Sequence, residues 1–124
     1  MKHAAAAVLV MLVAAACSGG REPGQTPAPS TGGNANRGEQ LITTVGCGRC
    51  HTIPGVRAAN GLVGPPLEFF SKRTYIAGEL PNTPDNLVRW LRDPPGVEPG
   101  TAMPNLGLSE QDARDIAAYL YTLS

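Results

Sequence analysis

The chain has 124 residues, with ten basic side chains balanced by ten acidic ones and two histidines. That length allows one small domain, and the even charge excludes the basic surface that a nucleic-acid binder needs. So small a domain seldom builds enough apolar core to be stable alone, and commonly recruits a disulfide, a metal or a cofactor.

Lys2 and His3 precede an unbroken apolar run from Ala4 to Ala16. The run is too short to span a bilayer but suits the core of an export signal, and it lacks the polar face of an amphipathic helix. Residues 1–16 are therefore expected to be a signal peptide. Ala14-Ala15-Ala16 fits ordinary cleavage, whereas Cys17 followed by Ser18-Gly19-Gly20 resembles the acceptor cysteine of bacterial lipoproteins. A free thiol at a mature N-terminus would be a liability in an oxidising compartment, so lipidation at Cys17 is the expectation, with ordinary cleavage as the alternative. Acyl chains there would supply stable anchoring.

Residues 18–36 are Gly, Pro, Ser, Thr and Asn nearly throughout and offer little to bury. Residues 17–36 are thus read as an anchor cysteine and a flexible linker, able to reach about 60 Å at full stretch. The folded domain is expected over 37–124.

Asn36 with Glu39 three residues on predicts a capping box, and Leu41, Ile42 and Val45 an apolar stripe, giving a helix over 37–45 that stops at Gly46. From Thr52 to Pro66 the chain carries Pro54-Gly55, Gly64-Pro65 and further glycines without periodicity, which predicts a loop. A short helical turn is expected at 66–72, with Leu67 and Phe70 inward. Thr83-Pro84 reads as a cap followed by proline at the first helical position. Leu87, Val88, Trp90 and Leu91 then predict a helix over 84–92, ended by Pro94. Ser109 with Asp112 repeats the capping signature, and Ile116, Ala117, Leu120 and Leu123 recur at helical spacing, giving a helix over 110–122. No stretch alternates, so the fold class is all-α.

Three cysteines occur, at 17, 47 and 50, and the last two form Cys47-Gly48-Arg49-Cys50-His51. C-x-x-C-H is a haem-attachment signature: two thiols three residues apart can add to both vinyl groups of one haem while the adjoining imidazole reaches the iron. A structural zinc would need two more Cys or His ligands, and removal of the leader leaves no other histidine. A thioredoxin-like pair would need a βαβ setting, which is absent. Removal of Met1 and Met11 likewise leaves Met103 as the single methionine. A solitary methionine is usually a filler of core gaps. Met103, however, sits in the proline-bounded segment Pro99-Gly100-Thr101-Ala102-Met103-Pro104, a loop able to hold a thioether over a metal.

The order Cys47-Gly-Arg-Cys50-His51, then Gly64-Pro65, then the Met103 loop and a final amphipathic helix resembles class I cytochromes c over about residues 36–123. The resemblance implies a small fold of three to four helices around one covalent haem c, with His51 and Met103 as iron ligands. It implies that the Pro65 carbonyl accepts the second ring N–H of His51, as groups behind a metal ligand do. It places Arg73 and Thr101 on haem propionates, Trp90 in the haem pocket, and Gly38 and Tyr119 at the crossing of the first and last helices. Pro66 and the long loop from Thr52 to Val63 depart from the family pattern.

Iron held by histidine and methionine has no vacant position, so the resemblance implies a carrier of single electrons, with no catalytic residue and no small-molecule substrate. The run from Asn82 to Leu123 is similar to small cytochrome c subunits or domains associated with bacterial haem-copper oxidases. The expected partners are redox proteins such as a terminal oxidase or a quinol-oxidising complex, reached on the periplasmic side of a bacterial membrane to which Cys17 anchors the chain. The alternatives are a haem subunit bound permanently to a dehydrogenase or oxidase, and a haem enzyme or gas sensor whose iron opens.

Overall fold

The computed structural model describes residues 29–124; the expected signal peptide, Cys17 and the first part of the linker lie outside them. Helix α1 spans Ala35–Val45. Its cap is Asn34, whose Oδ1 accepts the Arg37 N–H at 3.1 Å, and the expected Asn36–Glu39 box lies within the helix instead. The reason is tertiary: Asp115, on the last helix, accepts the Asn34 N–H at 2.7 Å and starts the helix two residues early. Packing reaches further into the expected linker. Thr31 is buried, its carbonyl accepts Arg114 Nη1 at 3.0 Å, and a Cβ on Gly33 would collide with the Arg114 carbonyl. Tertiary contacts among the described residues thus already involve Thr31 and Gly33, within the stretch read as linker. At the other end Gly46 adopts φ 86°, and its N–H closes on the Ile42 carbonyl.

Helix α2 spans Pro84–Arg92, with Thr83 as cap and Leu87, Val88, Trp90 and Leu91 buried, as the sequence predicts. Pro94 does end it, but Asp93 then accepts the Gly96 N–H at 3.2 Å and opens a one-turn helix, α3, Pro94–Val97. Helix α4 spans Glu110–Leu120, two residues shorter than expected. Ser109 and Asp112 cap it reciprocally: the Ser109 Oγ accepts the Asp112 N–H at 3.1 Å, and its hydroxyl donates to Asp112 Oδ2 at 2.7 Å.

The expected turn at 66–72 contracts to a 3₁₀ turn at Phe70–Lys72, with Phe70 buried and Leu67 at the margin of the core. A two-residue hairpin, β1 Tyr75–Ile76 against β2 Leu80–Pro81, was not foreseen. Ala77 and Gly78 form its bend with φ of 52° and 77°. Strands so short carry no alternation to read, and the all-α class stands. Ile42, Leu87, Ile116 and Leu120 from the three longer helices meet Ile53, Phe70 and Ile76 from the loops in one core.

Helices α1 and α4 cross where Gly38 faces the backbone of Asp115, and a Cβ on Gly38 would overlap the Asp115 carbonyl. Glycine costs roughly 1 kcal/mol in a helix interior, but here it permits backbone contact. Asp115 is 2% exposed and accepts from the Asn34 N–H, the Arg37 guanidinium and Gln111 Nε2. Burial by itself raises the Asp115 carboxyl, yet the Asn34 N–H, Arg37 and Gln111 outweigh it and hold the group below its ordinary value.

Gly38→Ala is expected to destabilise the domain by about 1–3 kcal/mol in denaturant titrations, because backbone rather than a mobile side chain opposes the new methyl. Since the folded Asp115 pKa is depressed, its contribution is fully present above about pH 4 and disappears as pH falls through the folded value. Thermal melts from pH 7 downward should show a smaller acid-induced loss in Asp115→Asn than in the parent.

Candidate functional site

Gly46 ends α1 and turns the chain into Cys47–Arg49, a single 3₁₀ turn. The Cys50 and His51 N–H groups both donate to the Cys47 carbonyl, at 3.1 and 3.0 Å. Residues three and four apart share one face of such a turn, so Cys47, Cys50 and His51 are presented together. The C-x-x-C-H spacing thus becomes a local geometric fact.

The loop that follows folds back on this turn. Gly61 donates to the Gly48 carbonyl at 3.0 Å and Gly64 to the Cys50 carbonyl at 2.8 Å. A Cβ on Gly64 would overlap the His51 ring, so glycine is what lets the backbone lie against the imidazole. Tyr119 ties the loop to α4 by donating to the Pro54 carbonyl at 2.9 Å. Three residues after Gly64, the Leu67 N–H donates to the Thr52 carbonyl at 2.8 Å.

His51 Nδ1 lies 2.7 Å from the Pro65 carbonyl. A carbonyl can only accept, so Nδ1 carries the proton and Nε2 keeps a lone pair for a metal. Met103 belongs to an irregular loop after α3, is half-buried against the core, and donates its N–H to Thr101 Oγ1 at 3.2 Å. Both residues line a cavity of about 940 Å³ whose other walls come from α2, the hairpin and the 3₁₀ turn.

Cys47, Cys50, His51, Pro65, Arg73, Trp90, Thr101 and Met103, the residues singled out in the sequence, all lie on the wall of this one cavity. Thr101 Oγ1 accepts from Met103, which leaves the hydroxyl proton free to donate. Arg73 also makes contacts within the protein. Its Nη2 donates to the Pro66 and Glu68 carbonyls and its guanidinium lies 5.3 Å from the Phe70 ring centroid, so Nε and Nη1 are the donors left for an anion. Sequence reasoning missed Tyr75, Ala77 and Gly78 on the wall because nothing local announced the hairpin. It missed Glu98 as well, although its place five residues before Met103 was a usable signal.

The donor set fits a covalently held porphyrin. Mostly apolar walls enclose two thiols, an imidazole with a defined free nitrogen and a thioether. Among the described residues no cluster of three or more His, Cys, Asp or Glu could hold a bare metal ion. A sequence model of the family described as Cytochrome c matches residues 35–124. The chain belongs to the cytochrome c family. Its cofactor is accordingly a covalently attached haem c, with Cys47 and Cys50 in the attachment position, and this cytochrome is an electron-transfer protein.

The chain is 38% identical over 90 residues to cytochrome c oxidase subunit 2 of Alkalihalophilus pseudofirmus, an alignment covering 72% of this chain and 25% of that protein. The Bacillus subtilis protein of the same name is 32% identical over 89 residues, covering 70% of this chain and 25% of its own length. The cytochrome thus spans about a quarter of the length of these curated relatives.

Gly64→Ala is expected to displace the imidazole from Pro65 and to cost about 1–3 kcal/mol. In the haem-loaded protein, NMR should show faster solvent exchange of the His51 ring N–H.

Proposed function

We propose that this cytochrome is an exported, membrane-tethered monohaem electron carrier that delivers single electrons to a terminal oxidase, and that His51 and Met103 are the residues that would ligate the haem iron. The observation that carries the reading is the convergence of the attachment turn, the Pro65-oriented imidazole and the Met103 thioether on one cavity. When bound, haem c supplies an iron that cycles between ferrous and ferric states. Cys47 and Cys50 would hold the macrocycle by thioether bonds. Pro65, by accepting the Nδ1–H hydrogen bond, orients the His51 ring. Met103, a soft ligand, would favour ferrous iron, and the apolar walls would oppose the added charge of ferric iron, so both would raise the reduction potential. Iron held by both residues would have no position left for a substrate, which favours carrier over enzyme.

Val63, Tyr75 and Leu106 line the cavity while remaining 76%, 56% and 37% exposed. They supply an apolar rim through which a redox partner can approach the macrocycle edge. The named relatives support an oxidase as that partner. Cys17 as a lipid acceptor and the Gly/Pro/Ser-rich segment behind it support the tether; no helix among the described residues is long and apolar enough to cross a membrane.

The same relatives favour a second reading, a haem c subunit held permanently by an oxidase or dehydrogenase complex. Mild detergent extraction separates the two: a free carrier elutes alone, a subunit copurifies in fixed proportion with its complex.

The mature protein should show the methionine-to-ferric-iron charge-transfer band, and Met103→Ala should lose it with a lowered potential. An unchanged band in that variant rejects Met103. Carbon monoxide should bind the untreated ferrous protein slowly and incompletely; rapid stoichiometric uptake would defeat the carrier reading.

A further inference from the structure

The segment from Glu98 to Leu108 carries Met103 and contains no helix or strand. Among the described residues one backbone-to-backbone hydrogen bond lies within it, from the Thr101 N–H to the Glu98 carbonyl at 3.0 Å. Side chains provide what the backbone lacks. Glu98 Oε1 accepts the Gly100 N–H at 2.8 Å, Thr101 Oγ1 accepts the Met103 N–H, and Asn105 Oδ1 accepts the Gly107 N–H at 2.9 Å. Asn105 Nδ2 donates to Asp93 Oδ1 at 3.3 Å, and that same oxygen accepts the Gly96 N–H at 3.2 Å.

These bonds close a ring. Asp93 stands at the end of α2 and opens α3; Glu98 ends α3 and begins the methionine segment; Asn105, two residues beyond Met103, returns to Asp93. One carboxylate oxygen therefore fastens both the limb leading to Met103 and the limb leaving it. We propose that Asp93 acting through Asn105, with Glu98 on the entering limb, are the positioning residues that hold the Met103 thioether in place. Asp93 and Asn105 are not among the residues lining the cavity, whereas Glu98 is; each would act through the backbone that carries Met103. The proposal rests on the reading of Met103 as a residue that would ligate the haem iron.

Asp93 also caps α3, so a loss of stability alone would not distinguish positioning from capping. Asp93→Asn retains an oxygen acceptor for both donors and serves as the conservative rescue. Asn105→Ala opens the ring while leaving the Gly96 cap intact. Glu98→Ala against Glu98→Gln makes the same comparison on the other limb. The readout is exogenous imidazole, which competes with the thioether for ferric iron, measured on the full haem-loaded protein beside the charge-transfer band and the melting temperature.

A hydrogen bond of ordinary net strength corresponds to a change of roughly five- to tenfold in how often the segment opens. Asp93→Ala and Asn105→Ala should each bind imidazole tighter by about that factor, with Asp93→Asn and Glu98→Gln close to the parent. Because the two residues share one link, the double alanine variant should gain less than the product of the single gains. An Asn105→Ala protein that melts lower yet binds imidazole as the parent does would overturn the proposal and leave these residues with a merely structural role. Met103→Ala is run alongside: if it keeps the band and the parental imidazole affinity, the ligand assignment itself fails, an outcome distinct from failure of the brace.

Discussion

Backbone contact between α1 and α4 at Gly38 is the constraint on which the rest of the molecule depends. With a hydrogen in place of a side chain, α1 settles against the Asp115 carbonyl, and the Asp115 carboxylate then takes up the Asn34 N–H and the Arg37 guanidinium. A buried carboxylate is costly unless its oxygens are fully engaged, and here several donors converge on it. The position of α1 is thereby set at its start. Its far end is Val45, two residues before Cys47, so the crossing also decides where the attachment turn stands relative to the core.

From α4 the same arrangement continues toward the haem side. Tyr119 reaches the Pro54 carbonyl and holds the long loop whose later part lays Gly64 and Pro65 against His51. On the other flank Tyr121 donates to Asn82 Oδ1, while Asn82 Nδ2 donates to the Phe70 and Arg73 carbonyls. Burial pushes the Tyr121 hydroxyl up to about 12, so it remains a donor throughout the physiological range. One helix thus anchors two walls of the cavity.

The methionine side is built otherwise. Its segment draws on Asp93, Glu98, Thr101 and Asn105 rather than on a helix or sheet ladder. Exposed side-chain hydrogen bonds are individually modest. The thioether is thus held by the less regular part of the fold, whereas the imidazole stands on a turn continuous with α1.

The features legible in the sequence were those whose physics is local. The cap at Thr83-Pro84, the Ser109–Asp112 box and the left-handed stop at Gly46 depend on neighbours three or four residues away. So does the common face of Cys47, Cys50 and His51, because one helical turn produces it wherever it occurs. What the tertiary structure decided were choices between locally similar options and pairings without a local signal. Asn36 and Asn34 could each cap α1, and Asp115, 81 residues from Asn34, selected the earlier one, while Arg114 beside it holds the Thr31 carbonyl. The hairpin behind the cavity, the use of Arg73 on the 66–68 carbonyls and the link from Asp93 to Asn105 join groups that chain separation conceals. Their energies arise only after the core has brought the partners together, which is why no pattern in the sequence alone announces them.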